Sequence, residues 1–336
     1  MKINNRRYTG SKYKLMPWIR ELVLQKCHKH DKLFDVFGGT GVVTAELLDI
    51  FKSVVINDFL YSNEVIYNAF FGKEKIDNNN LITYVKKYNS INKGQLNKNY
   101  VSENYGDKFF KYEDAKLIGW IREDIETQLK EKKLNKREFD ILLTSLLYSF
   151  DRCANTVGHY EAYLKEKEIW TDFTFELIEP IKSNKKITIY RTDSNELAKK
   201  ITADVAFIDP PYNSRQYSRF YHVLETITKW DKPLLTGTAM KPPEENMSEY
   251  CRNSAPKVFE DLIKSLNVKY IIVTYNNTYD SKSSSSRNKI TLDQIKKILE
   301  MKGKTEIFEK QYHRFNAGKT ATSDHKELVF ITKVKN

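Results

Sequence analysis

Apolar positions along the chain fall into two textures. Short runs rich in Val, Ile, Phe and Tyr, at Leu33 to Phe37, Ser53 to Asn57, Lys186 to Arg191, Val205 to Ile208, Lys269 to Tyr275 and Glu327 to Val334, read as strands. Between the first two, Val42 to Phe51 is apolar at helical spacing, so the chain opens on a βαβ unit and predicts a parallel sheet. From Leu60 to Lys185 the texture becomes long, charged and helix-like, broken by polar clusters such as Asp77-Asn78-Asn79-Asn80. The expectation is an α/β catalytic domain over 1–60 and 185–336, interrupted by an inserted lobe over 61–184. A second break, Asp280 to Asn288 with four consecutive serines, predicts a mobile loop because nothing in it can pack a core.

Composition narrows the class. With 336 residues, 40% of them hydrophobic and 30% charged, the chain is neither fibrous nor disordered. No apolar run approaches the roughly 20 residues of a membrane span, and the basic N-terminus is not followed by a secretory apolar stretch. A cytoplasmic protein with no membrane partner is expected. The cysteines, Cys27, Cys153 and Cys251, match no zinc spacing, and no metal is expected. A net charge of +12 favours a polyanionic partner, but it gains weight only once a site supplies chemistry.

Two motifs supply it. The first is Leu33-Phe34-Asp35-Val36-Phe37-Gly38-Gly39-Thr40-Gly41, a strand ending in an acid and a glycine turn that opens a helix. Glycines let the backbone approach a ligand closely. The full Gly-x-Gly-x-x-Gly fingerprint is missing, so a nucleoside without a pyrophosphate fits better, and Asp58 at the end of the next strand is placed to accept from ribose hydroxyls. The alternative is an ordinary tight turn and a capping acid.

The second motif, Val205-Ala206-Phe207-Ile208-Asp209-Pro210-Pro211-Tyr212, is an apolar strand running into a rigid extended turn. Open α/β sheets bind ligands at that end of their strands. The residue types suit an amine whose lone pair is delocalised into an aromatic ring. The Asp209 carboxylate and the Pro210 carbonyl would accept its hydrogens and aim the lone pair, and Tyr212 would offer a flat face worth ~1–3 kcal/mol to an extruded base.

Together the motifs resemble the Dam-like, alpha-group adenine-specific DNA methyltransferases of restriction-modification and host-methylation systems. The family's opening aromatic, Gly-x-Lys and apolar helix are matched by Tyr8, Gly10, Lys12 and Leu15 to Ile19. Its glycine loop is matched by Asp35, Phe37, Gly39 and Gly41, its second-strand acid by Asp58, its third-strand acid by Asp193, and its catalytic turn by Asp209 to Tyr212. The resemblance implies a Rossmann-like S-adenosylmethionine-dependent methyltransferase fold with a mainly helical target-recognition lobe. It implies S-adenosyl-L-methionine as cofactor, bound by Tyr8, Lys12, Asp35, Phe37, Gly39, Gly41, Asp58 and Asp193, the last facing the adenine edge. Asp151 to Tyr160 resembles a segment of a subgroup whose catalytic turn also continues as Asn213-Ser214-Arg215-Gln216-Tyr217. Pro211, Asn213, Arg215, Gln216, Arg152 and Asn155 are therefore candidates for contact with DNA, although the last four also suit structural hydrogen bonds in long loops. His159 and His222 read as structural.

The implied partner is double-stranded DNA, met by a monomer or weak dimer, with any cognate restriction endonuclease on a separate chain. An RNA adenine methyltransferase would share the chemistry, but the early lysine motif and the large insertion favour DNA. Protein-glutamine methyltransferases usually open the catalytic turn with Asn where this chain has Asp209. A non-enzymatic descendant should have lost an acid or a glycine, and none is lost here.

Overall fold

The protein is described by a computed structural model over residues 1–156, 158–164, 171–277, 287–311 and 326–335. Val157 and most of the serine-rich break, 280–286, lie outside the described residues. The chain runs α1 (Met16–Lys26), β1 (Lys32–Asp35), α2 (Val42–Leu47) and β2 (Ser53–Asp58), then α3 (Tyr61–Phe71), α4 (Asn78–Ser90), α5 (Tyr100–Tyr105), α6 (Tyr112–Lys130) and α7 (Lys136–Cys153). It continues through β3 (Lys186–Arg191), α8 (Ser194–Ala198), β4 (Val205–Ile208), α9 (Tyr217–Phe220), α10 (His222–Lys229), α11 (Ala255–Ser265), β5 (Tyr270–Asn276), α12 (Leu292–Glu300), β6 (Gly303–Gln311) and β7 (Lys326–Val334).

Two units divide the chain. The first comprises Lys12–Phe59, Asn184–Tyr217 and Asn246–Asn336 and carries a seven-stranded sheet in the order β3-β2-β1-β4-β5-β7-β6. Strands β3, β2, β1, β4 and β5 are parallel, while β7 runs antiparallel to β5 and β6 antiparallel to β7. This is a Rossmann-like α/β arrangement. The central strands are apolar without alternation because both faces are covered: every residue of β4 and β5 is buried. Phe34, Ala206, Ile208, Ile271 and Val273 share one core with Phe259, Leu262 and Ile263 of α11 and Ile295 and Leu299 of α12. Strand β6, which the apolar pattern did not reveal, is an edge strand rich in Lys and Glu, the composition that keeps an exposed edge from pairing with other chains.

The strand order reverses at β1. From β1 the chain steps outward to β2 and β3, then returns to place β4 on the other side of β1, which is the switch point where such sheets open a ligand crevice. Buried Asn57 ties the rim of that crevice: its Nδ2 donates to the carbonyls of Val36 (3.3 Å) and Thr192 (3.2 Å), and its Oδ1 accepts from the Thr192 N–H (3.2 Å).

The second unit, Met1–Ser11, Leu60–Ser183 and Ser218–Glu245, is mainly helical. It is wider than the lobe expected over 61–184 for two physical reasons. Helix α10 buries Val223, Leu224 and Ile227 and packs against α3 and α7, and fully buried Arg122 of α6 donates to the carbonyls of Ile227 (2.8 Å) and Thr228 (3.3 Å) at its end. The first residues are threaded through the same unit: Tyr148 donates to the Ile3 carbonyl, the Arg7 N–H donates to buried Asp151, and buried Arg6 bonds Asn63 and lies over the Tyr8 and Tyr221 rings.

Asn57 yields a test of the rim. Asn57→Ala removes bonds to buried backbone groups and is expected to lower the unfolding free energy by about 2–3 kcal/mol in chemical denaturation. A change under about 0.5 kcal/mol would mean that the tie carries no weight.

Candidate active site

The glycine loop leaves β1 beside its own anchor. Asp35, buried at the end of β1, accepts from the Thr44 hydroxyl of α2 (2.7 Å) through Oδ2, while Oδ1 has no hydrogen-bond partner. Burial pushes the Asp35 carboxyl up to about 7; the Thr44 bond opposes this, and the charges of Asp209 and Asp58 add to it. Gly39 and Gly41 have φ of 53° and 76°, a left-handed region that a side chain at either position would strain. The Gly38 N–H donates to the Asn57 carbonyl (2.7 Å) and the Gly39 N–H to Asp58 Oδ2 (2.9 Å), so the loop and the second-strand acid form one rim. Phe37 is half-buried, edge-on to Tyr250 with ring centroids 5.0 Å apart. Asp193 caps α8, its Oδ1 accepting from the N–H groups of Asn195 (2.9 Å) and Glu196 (3.1 Å).

Beside this rim, Asp209 leaves β4 into the Pro210-Pro211 turn. Its carboxylate is held by three side chains of the same unit. Lys12, its side chain only 5% exposed, places Nζ 2.9 Å from Oδ2, and the hydroxyls of Tyr212 (2.5 Å) and Thr274 (2.7 Å) both donate to Oδ1. The Lys12 ammonium also lies 5.0 Å from the centre of the Tyr212 ring. Tyr212 is anchored in turn: its carbonyl accepts from the Lys289 N–H (2.7 Å) and the Tyr275 hydroxyl (3.2 Å), and its ring meets that of Tyr275 at 4.4 Å. Burial, then the charges of Asp209 and Glu327, push the Tyr212 hydroxyl well above its ordinary range, so it stays a donor.

The structure thus gathers Asp35, Phe37, Gly39, Gly41 and Asp58 on one rim, and Lys12, Asp209 and Tyr212 in one cluster. Lys12, read from sequence as a cofactor residue, is engaged with the carboxylate of the Asp-Pro-Pro-Tyr turn. Tyr212, read as a flat face, also uses its hydroxyl. Thr274 was missed, having no motif around it, as was Asn57. Of the remaining candidates, Gln216 is buried and bonds the Ser248 carbonyl (3.0 Å) and N–H (2.7 Å), so it shapes a loop. Asn213 accepts from the Arg215 N–H (3.1 Å), and Arg215 and Pro211 are half-buried.

In the helical unit, Tyr8 stacks on Tyr221 with centroids 4.8 Å apart. Arg152, half-exposed, pairs with Glu176 at 2.5 Å. Asn155 is buried with Nδ2 donating to the carbonyls of Lys108 (3.0 Å) and Leu164 (2.8 Å), which leaves neither of its amide hydrogens for a base edge. His222 is buried, bonded to the Tyr160 carbonyl, and pushed down to about 3 chiefly by burial; His159 stacks on Phe220. The cysteines are free, and burial pushes each thiol up to about 12. Among the described residues there is no cluster of metal ligands and no helix long and apolar enough to cross a membrane.

Residues 8–279 match the model of the D12 class N6 adenine-specific DNA methyltransferases. The chain is 30% identical over 330 residues to the Type II methyltransferase M.NlaIII of Neisseria lactamica, covering 95% of each. It is 28% identical to the Type II methyltransferase M.CviAII of Paramecium bursaria Chlorella virus 1, over 98% of each. It is 32% identical to the Modification methylase LlaI of Lactococcus lactis subsp. lactis, covering 81% of this chain but spanning 46% of that protein's length.

The buried acid sets a pH signature. A carboxyl whose folded value exceeds its unfolded value adds stability that is fully present below about 4 and is lost as pH rises through about 7. Asp35→Asn is therefore expected to gain on wild type between pH 5 and 8, by an amount on the order of a few kcal/mol, in denaturation curves at each pH. Parallel pH dependence would show that Asp35 is not held neutral by its site.

Proposed function

The chain belongs to the D12 class N6 adenine-specific DNA methyltransferase family, and from that premise we propose that it moves a methyl group from S-adenosylmethionine to the 6-amino group of an adenine swung out of duplex DNA, as the modification enzyme of a restriction-modification system. The observation that carries the catalytic reading is the Asp209 carboxylate, with one oxygen fixed by two hydroxyls and the other held by an ammonium. The names of the relatives support the biological setting, and the charge of +12 supports a nucleic-acid partner.

The residues present fit the cofactor. Gly39 and Gly41 leave bare backbone at a left-handed turn, Asp58 offers carboxylate oxygens suited to ribose hydroxyls, and half-buried Phe37 offers an apolar flank. Bound there, S-adenosylmethionine supplies an electrophilic methyl group on a sulfonium. The rest falls to side chains of this chain. Adenine's amine is a poor nucleophile because its lone pair is shared with the ring, so acceptors must draw its hydrogens into a fixed direction. Asp209 Oδ2 and the Pro210 carbonyl are assigned that work, the amine taking over the oxygen that Lys12 holds in this structure. The Tyr212 ring is the stacking face, which Lys12 likewise vacates. The positive charge that would grow on the amine as it takes up the methyl group lies beside the Asp209 carboxylate, which would stabilise it until the amine proton is released to solvent. The helical unit is assigned target recognition, with Arg152 as its candidate for phosphate or base contact, and Arg215 of the sheet-bearing unit is a candidate for contact of the same kind.

Sequencing DNA from cells with and without the protein for modified adenine tests the activity and reads its target site. On purified protein, Asp209→Ala is expected to lower methyl transfer at least a hundredfold, about 3 kcal/mol, with cofactor affinity within about twofold by calorimetry. Activity above about a tenth of wild type would remove Asp209 from the role. On binding, 2-aminopurine at the target position should brighten as it leaves the stack, and more so with Tyr212→Ala; no change at any position would argue against extrusion.

A further inference from the structure

We infer that Thr274 of β5 is a positioning residue for methyl transfer: it locks one oxygen of Asp209 so that the other is the one offered to the target amine. The inference rests on the catalytic role proposed for Asp209. A carboxylate on a short side chain turns readily about its last bond, and its two oxygens are equivalent until something distinguishes them. Here the distinction is complete. Oδ1 accepts from both Thr274 Oγ1 (2.7 Å) and Tyr212 Oη (2.5 Å), and Oδ2 faces the Lys12 ammonium (2.9 Å).

The two hydroxyls are not equal in what holds them. Tyr212 belongs to the turn and presents the face on which the base is to stack, so its hydroxyl shares the fate of the pocket. Thr274 belongs to the sheet. Ile208 of β4 pairs with Val273 of β5, which brings Thr274 alongside Asp209 through backbone register alone. As a β-branched residue in a strand it has a stiff side chain, so the direction of its hydroxyl is fixed by the sheet. Thr274 is 1% exposed in a strand whose every residue is buried, in the run Tyr-Ile-Ile-Val-Thr-Tyr-Asn. Packing alone would favour valine there, because an unbonded buried hydroxyl is costly. The bond to Asp209 is what the hydroxyl provides.

The test compares Thr274→Val, Thr274→Ser, Tyr212→Phe and the Thr274→Val/Tyr212→Phe double variant, with Asp209→Ala alongside, in methyl transfer to a duplex containing the target site. Thr274→Val keeps the shape and removes the hydroxyl. It should lower kcat about tenfold while KM for DNA and the calorimetric affinity for S-adenosylmethionine stay within about twofold, and Thr274→Ser should recover activity to within about threefold of wild type. Because both hydroxyls hold one oxygen, the double variant should lose more than the product of the single losses. Wild-type kcat in Thr274→Val, a loss that serine does not recover, a change confined to KM, or a purely multiplicative double variant would each overturn the inference. If Asp209→Ala itself stays active, the catalytic reading of Asp209 fails as well. If Asp209→Ala is inactive and Thr274→Val is not impaired, only the role of Thr274 falls.

Discussion

The Asp209 carboxylate is fixed from several sides at once, and much of the sheet-bearing unit is arranged around holding it. Fixing it takes donors from three places far apart in the sequence: Lys12 ahead of α1, Tyr212 in the turn after β4, and Thr274 inside β5. Only a sheet that reverses its order at β1 brings those places together, because β4 must return beside β1 before β5 can be laid along it. The reversal also sets the glycine loop of β1 and the turn of β4 next to one another at the same edge, the side on which open α/β sheets take their ligands. The proline pair then keeps the turn extended where a freer chain would fold back over the opening.

What the sequence disclosed follows the range of the physics involved. The glycine loop and Asp-Pro-Pro-Tyr are legible because backbone freedom and rigidity are properties of neighbouring residues. The central strands are legible because burial on both faces makes them apolar throughout. Strand β6 was not, since an exposed edge must be charged and so reads as surface. The expected boundary put α10 with the sheet, whereas its buried face packs against α3 and α7, contacts that no local pattern in the sequence specifies. Thr274 and Asn57 have meaning only through lateral register and through loops that meet them from elsewhere. Gln216 and Asn155 show the converse: amides suited to reading base edges instead bond backbone groups within the protein, most of them on distant segments of the chain. Chemical suitability is shared by many side chains, and only the geometry tells which have donors to spare.

The charges at this edge of the sheet favour a cation. Asp35, Asp58 and Asp209 lie near enough that the last two raise the first, whose carboxyl is pushed up to about 7, principally by burial. The Lys12 ammonium balances Asp209 in this structure, yet under the proposed mechanism it must yield Oδ2 to a neutral amine. That exchange by itself would leave acidic groups facing one another with less compensation, an unfavourable change in a partly buried site. A sulfonium carries a positive charge, so a donor of that kind bound on the glycine rim would offset what Lys12 gives up. The same field would oppose an anionic ligand, in keeping with a glycine loop that lacks the pyrophosphate fingerprint. Under the proposed mechanism the amine would gain positive charge beside Asp209, and with the carboxylate already locked there, little reorganisation would remain for the protein during the step.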